Sequence, residues 1–252
     1  MKIHALSGGT LRMKKSVYFP GVAPDAMIEL PVSCFLIQHP QGNVLFDTGC
    51  HPELASAPFK RIGGMAKTME VTSPPGVNVI EGLRSLGIRP EDIDLVVNSH
   101  FHTDHCGCNI FFTSATIVCH RCELAAARSQ NAERQGYFPV DWDSDAQFQE
   151  IDSEYDVFGD GRIVLVPLPG HTPGSLGALV TLDQSGAILM ASDAASLRSN
   201  LDNRTVPRNT WDGDGFLKSL DEIQRIQRSG ATIFFGHDAQ QWAVLERQRT
   251  FT

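Results

Sequence analysis

At 252 residues, with 42% apolar and 20% charged positions, the chain has ordinary globular composition, which excludes disorder and a disulfide mini-scaffold and fits one layered domain over 1–252. Its 29 acidic and 21 basic residues give a formal charge of −8; this would repel a phosphate backbone, and the densest basic cluster, Arg12, Lys14 and Lys15, is too short to offset it, so no nucleic-acid partner is expected. The amino terminus lacks the apolar core of a signal peptide and no later run is long enough to span a membrane, so a cytoplasmic protein with no membrane partner is expected, its six cysteines kept as thiols.

Short apolar runs end repeatedly on a residue capable of chemistry. Asn43 to Phe46 stops at Asp47, and Ile93 to Ser99 stops at His100. Later, Arg162 to Leu168 leads into His171, Ala187 to Ser192 stops at Asp193, and Ala231 to Gly236 stops at His237. Each run predicts a buried strand with a polar residue at its carboxyl end. Between the first two, Val79, Ile80, Leu83 and Leu86 have helical spacing, with Gly87 as a stop. Between the last two, Phe216, Leu217, Leu220, Ile223 and Ile226 mark a helix over Gly215 to Arg228.

The strand–helix–strand order therefore occurs twice. This pseudo-duplication predicts an α/β fold: a four-layer αβ/βα sandwich, two mixed sheets face to face and flanked by helices, with the site at their shared edge. Segments 10–33, 51–78, 129–150 and 198–213 have weak periodicity and many turn residues, and are predicted as loops, the first three rimming the site.

The run His100-Phe101-His102-Thr103-Asp104-His105 packs imidazole and carboxylate donors of the type zinc prefers into six residues after a strand. Alternation aims His100 and His102 one way and leaves Asp104 and His105 for a neighbouring position, so the spacing suits two divalent ions. His171, Asp193 and His237 stand at matching strand ends. The expected sets are His100, His102 and His171 for one ion, and Asp104, His105 and His237 for the other, with Asp193 bridging. Zinc is expected, with Co2+, Mn2+ or Fe2+ as alternatives. Two such cations carry four positive charges, and two carboxylates with a bridging hydroxide offset three, leaving an electrophilic site for hydrolysis without a protein nucleophile. Asp47 is expected to accept a hydrogen bond from a ligand imidazole and fix its orientation.

With these motifs in place, the chain resembles the metallo-β-lactamase superfamily. The resemblance spans nearly the whole chain: Asp47-Thr48-Gly49, the His-x-His-x-Asp-His run, Gly170-His171-Thr172-Pro173-Gly174, Ser192-Asp193-Ala194 and Gly236-His237-Asp238. Within it, Asp47 to Glu53, Val97 to His102 and Phe234 to Asp238 are most similar to the N-acyl homoserine lactonases. That resemblance implies a quorum-quenching enzyme in which hydroxide bridging two metals opens a lactone ring, acting on a small-molecule substrate as a monomer or homodimer. A 4-pyridoxolactonase-like or organophosphate-hydrolysing enzyme is the alternative, because Asn98 to His102 and Asp104 to Gly107 are similar to the pyridoxolactonases.

Catalytic roles are expected for Asp104 and Asp193, either of which could shuttle the leaving-group proton, and for Ser196. Many lactonases of this kind place a tyrosine three residues after the bridging aspartate; here Ser196 occupies that position. A bridging water, a tyrosine such as Tyr137 reaching in, or the metals alone would have to replace it. Tyr18, Phe19, Met27, Tyr137, Phe138 and Trp142, with Phe101 inside the ligand run, could line an acyl-chain pocket. Loop anchoring accounts for them equally well. Cys119 and Cys122 have knuckle-like spacing near Cys106 and Cys108, but buried or half-buried thiols are the plainer account.

Overall fold

The computed structural model describes residues 1–143 and 145–252. Two mixed sheets form its centre. The larger takes β1 (Lys2–Lys14), β2 (Met27–His39), β3 (Gly42–Phe46), β4 (Met69–Val71), β5 (Leu95–Val97), β6 (Thr116–His120) and β7 (Gln147–Ile151). The smaller takes β8 (Tyr155–Asp156), β9 (Ile163–Pro167), β10 (Leu176–Leu182), β11 (Gly186–Ser192) and β12 (Thr232–Phe235), and β13 (Thr250–Phe251) returns to the larger one. Their orders are β13-β1-β2-β3-β5-β6-β7, with β4 on β1, and β12-β11-β10-β9-β8. Strands β3, β5, β6 and β7 run parallel, as do β11 and β12; the remaining pairs are antiparallel.

The layers follow from the two-residue repeat of a strand. Phe35, Ile37, Val44, Phe46 and Val97 of the larger sheet pack against Ile163, Leu165, Ala178, Ile188 and Met190 of the smaller, forming the inner core. Their neighbours point outward. Leu36, Leu45 and Val96 meet Val79 and Leu83 of the helix Val79–Ser85, while Val166, Leu189 and Ala191 meet Phe216, Leu220, Ile223 and Ile226 of the helix Gly213–Arg228. This second helix starts where the Asp212 side chain accepts from Asp214 N and stops before Gly230, whose φ is +103°. The result is an αβ/βα sandwich. No helix among the described residues is long and apolar enough to cross a membrane.

The rim is more ordered than its sequence suggests. Half of 10–33 lies in the paired strands of the β1–β2 hairpin, which pairs from Lys2↔Gln38 to Lys14↔Met27 with an irregularity between Ser7 and Gly9. Gly8, Gly9 and Pro31 obscure its alternation, yet Pro31 is tolerated because β3 pairs with β2 only from Phe35 onward. Segment 51–78 carries the short helix Pro58–Ile62 and β4, and 198–213 carries the helix Arg198–Asn203. Segment 129–150 contains the helical turn Pro139–Trp142 and most of β7. Turns this short produce no periodic signal.

Candidate metal centre

The centre lies where strand ends of both sheets meet. Chain reversal after β3 puts Asp47 at φ +59°, and reversal at the end of β11 puts Ser192 at φ +46°. A side chain is uncommon in this region and marks a position held by its surroundings. The two residues face one another, with Ser192 Oγ 3.3 Å from Asp47 Oδ2. By backbone conformation, then, the counterpart of Asp47 is Ser192, and Asp193 follows one residue later.

After β5 the chain continues through Asn98 and Ser99 into the histidine run, and residues Thr103–Cys106 form a single helical turn. The structure brings all seven expected ligands together in two groups with one shared member. His102 Nδ1 lies 3.1 Å from His100 Nε2 and 3.0 Å from His171 Nε2. On the other side Asp104 Oδ2 lies 3.4 Å from His105 Nε2 and 3.5 Å from His237 Nε2. Asp193 stands between the groups: Oδ2 is 3.4 Å from His171 Nε2, whereas Oδ1 is 2.9 Å from His237 Nε2 and 3.8 Å from His105 Nε2. Gly236 permits this placement, since a Cβ there would come within 2.6 Å of Asp193 Oδ1.

The donor set fits divalent cations. One imidazole nitrogen of His102 faces two others, which hydrogen bonds among neutral rings cannot all satisfy. His105 Nε2 is buried with no hydrogen bond of its own and faces carboxylate oxygens instead. Lone pairs thus converge from His100, His102 and His171, from Asp104, His105 and His237, and from Asp193 toward both. Among the described residues, these convergent groups include no cysteine. Cys119 is buried in β6 and Cys122 is exposed, both as free thiols.

Outer partners fix several rings. Asp47 Oδ2 accepts from His105 Nδ1 at 2.8 Å, and the same carboxylate accepts from Ser99 N and Ser99 Oγ at 2.7 Å each. The carbonyl of Pro31 accepts from His237 Nδ1 at 2.9 Å. Burial, reinforced by neighbouring imidazoles, holds His100 well below its ordinary pKa; burial also lowers His102, and it takes His171 down to about 3 against the pull of Asp193. Burial pulls His105 down too, but the charges of Asp104 and Asp47 outweigh it and leave that ring well above its usual value. His237 is raised in the same way, chiefly by Asp193 working against burial.

A buried carboxylate absent from the expected set joins the ligand turns. Glu123, at the start of the helix Arg121–Ala127, accepts from Phe101 N at 2.9 Å through Oε1 and from Gly174 N at 3.0 Å through Oε2. It therefore ties the backbone between His100 and His102 to the turn carrying His171. Gly174 is required there, because a Cβ would collide with Glu123 N. In the sequence Glu123 directly follows the Cys119-x-x-Cys122 spacing, and a lone acidic residue after a strand carries no signal of burial.

A cavity of about 410 Å³ opens over the centre. Asp104, Asp193 and His102 contribute its polar floor, and Leu11, Met13, Val17, Met65 and Met69 its apolar wall. Of the expected pocket residues Tyr18 lines it, whereas Phe19, Met27, Phe101, Tyr137, Phe138 and Trp142 do not. Phe101 stacks on Trp142, with ring centroids 5.8 Å apart, beneath the larger sheet. The Tyr137 hydroxyl turns toward Glu123 and Thr172, so it does not reach the reacting region. Phe138 packs behind the rim, Phe19 lies against Lys15, and Met27 is exposed. Side-chain type could not distinguish wall from anchor here; the methionines and Leu11 come from the hairpin and rim turns that the sequence had obscured.

Ser196 is not among the residues that line the cavity. It is buried behind the cavity, and its carbonyl accepts from His237 N at 2.7 Å. Tyr18, in contrast, lines the cavity beside Asp193 and Asn209.

The model of the metallo-β-lactamase superfamily matches residues 27–237. The chain belongs to that superfamily. Among curated superfamily relatives, it is 32% identical to the N-acyl homoserine lactonase AttM of Azorhizobium caulinodans, over 98% of this chain and 97% of that one. It is 30% identical to the AttM of Agrobacterium fabrum, over 100% and 98%. A solved N-acyl homoserine lactone hydrolase with N-hexanoyl-L-homoserine at its catalytic metal centre superimposes with a TM-score of 0.87, at 25% identity over 96% of this chain and 95% of that one.

Proposed function

We propose that this superfamily member is a metal-dependent hydrolase that opens the lactone ring of N-acyl homoserine lactones. The observation that carries the reading is Asp193, one oxygen facing each ligand group, at the floor of an apolar-walled cavity. Support comes from the full-length likeness to proteins named for this activity.

In this reading His100, His102 and His171 hold one ion, and Asp104, His105 and His237 the other, while Asp193 serves both and Asp47 orients His105. Two zinc ions held there would supply Lewis acidity toward an ester carbonyl and make water acidic enough to attack at neutral pH. The chain's own residues do the remaining work. Leu11, Met13, Val17, Met65 and Met69 receive the acyl chain and exclude water from its length. Asp104 and Asp193, accepting at the floor, hold the attacking water and pass its proton toward the departing ring oxygen.

The test is ring opening of N-hexanoyl and N-decanoyl homoserine lactone by zinc-loaded protein, followed by acid release and product mass. Turnover of both is expected, and it should be abolished in His102→Ala, which removes a ligand of one ion. Failure on every chain length, alongside hydrolysis of another lactone or of a phosphotriester, would overturn the substrate.

A further inference from the structure

Ester hydrolysis puts negative charge first on the carbonyl oxygen and then on the departing ring oxygen; cations held by the seven ligands would take up part of it, and hydrogen-bond donors on the cavity wall would stabilise the rest. Asp104 and Asp193 can only accept, and His102 turns its Nδ1 to the ligand group while its Nε2 meets the Gln135 carbonyl at 2.9 Å. The Thr103 hydroxyl is turned toward Asp141. Besides His102 and Thr103, the cavity wall carries side-chain donors on Lys14, Tyr18, Thr68, Arg134, Gln135 and Asn209; of these only Tyr18 is buried, and it stands close enough to Asp193 and Asp104 to feel both charges.

Tyr18 is held in place from both sides. The turn Lys15–Val17 closes with Tyr18 N and Phe19 N bonding to the Lys15 carbonyl at 3.1 and 3.0 Å. Arg208 N bonds to the Val17 carbonyl at 2.9 Å, which lays this turn against the segment carrying Asn209. The ring is 3% exposed and packs with Leu11, Leu30 and Leu197. Its hydroxyl approaches Asn209 and Ser196, and Ser196 Oγ is buried with no hydrogen-bond partner among the described residues.

We propose that Tyr18 is a catalytic residue, its phenol donating a hydrogen bond to the reacting ester oxygen, and that Ser196 and Asn209 are positioning residues for that phenol. The assignment rests on the lactonase reading. Water supplies the oxygen that bonds to the carbonyl carbon. The ring C–O bond breaks, one water proton ends on the ring oxygen as an alcohol, and the other is released as the new carboxyl ionises; Tyr18 keeps its proton throughout. A phenol arriving from the first hairpin fills the role left open by serine at position 196.

The experiment compares the zinc-loaded parent with Tyr18→Phe on N-hexanoyl homoserine lactone. The expected result is a fall in kcat of about 100-fold, with KM within about twofold and metal content equal to the parent's. Binding of ring-opened N-hexanoyl homoserine, read by calorimetry, should weaken severalfold. Tyr18→Ala combined with Ser196→Tyr moves the phenol to the other wall within a similar volume, and it should recover about tenfold in kcat over Tyr18→Ala alone. Unchanged kcat and product binding in Tyr18→Phe would overturn the proposal, as would a loss that merely follows lost metal. If Tyr18→Phe does not fold, absence of recovery in the folded double variant overturns it instead. A parent inactive on every lactone removes the lactonase reading itself, whereas an active parent matched by Tyr18→Phe removes only the role of Tyr18.

Discussion

The two ligand groups are built from similar side chains but supported by different means. His105 and His237 stand among three carboxylates, with Asp47 at 2.8 Å behind one ring and the Pro31 carbonyl at 2.9 Å behind the other. His100, His102 and His171 have weaker support. Ser99 Oγ lies 3.0 Å from His100 Nδ1, the Gln135 carbonyl accepts from His102, and His171 Nδ1 is buried without a hydrogen-bond partner among the described residues. One group is oriented by charge and the other by backbone placement, in which Glu123 holds both ligand turns. The electrostatic consequence is an asymmetric centre. Buried neutral rings with lowered pKa values face an anionic side where carboxylates raise them.

The largest effect expected from breaking this asymmetry is at Asp47. In Asp47→Asn, an amide replaces an oxygen that accepts from His105 Nδ1 and Ser99 Oγ. Removing a carboxylate behind a ligand imidazole weakens metal binding by about 10- to 100-fold. Zinc titration should therefore separate into two unequal steps, only one of them weakened relative to the parent. Equal weakening of both steps would show that the groups are not independently supported.

The sequence made one half of this contrast legible. Short apolar runs ending on His100, Asp193 and His237 disclosed the sandwich and its edge, because an apolar run and the polar residue that ends it are local properties. Asp47 was visible for the same reason. Glu123 was not, since its importance lies in two backbone N–H groups from turns far away in the chain. The cavity wall escaped for a related reason: Phe101, Tyr137 and Trp142 have the composition of a ligand pocket, yet they pack inward once β6, β7 and the turn Pro139–Trp142 assemble. Tyr18 was legible as a candidate for the pocket wall, but its place beside position 196 required tertiary structure, because nothing in the sequence joins the first hairpin to that residue.

Glu123→Gln tests the other support and should act more weakly. A glutamine keeps one acceptor for Phe101 N but turns an amide toward Gly174 N, leaving a buried donor unpaired at a cost of about 1–3 kcal/mol. About tenfold weaker zinc binding is expected in the step that Asp47→Asn leaves intact. If both variants weaken the same step, the division of support between carboxylate and backbone is wrong.

The smallest expected effect concerns the wall behind the charged group. Gly107, directly after the helical turn bearing Asp104 and His105, packs on the backbone of His51, where a Cβ would come within 2.6 Å of His51 N. His51 Nδ1 accepts from Glu53 N at 3.1 Å, a bond that only the unprotonated nitrogen can make. Burial, then the charges of Arg61 and Lys60 against that of Glu53, lowers this imidazole from 6.5 to about 4. The folded state thus binds fewer protons than the unfolded chain between these values. Its contribution is complete above about pH 6.5, is lost as pH falls toward 4, and does not change further below that. After solvent screening it amounts to about 1–2 kcal/mol. The stability difference between parent and His51→Asn, from denaturant unfolding at pH 7 and pH 4, should shrink by that amount on acidification. Metal release shifts both proteins alike and cancels in the difference, so a gap independent of pH would mean that His51 is not held neutral by this wall.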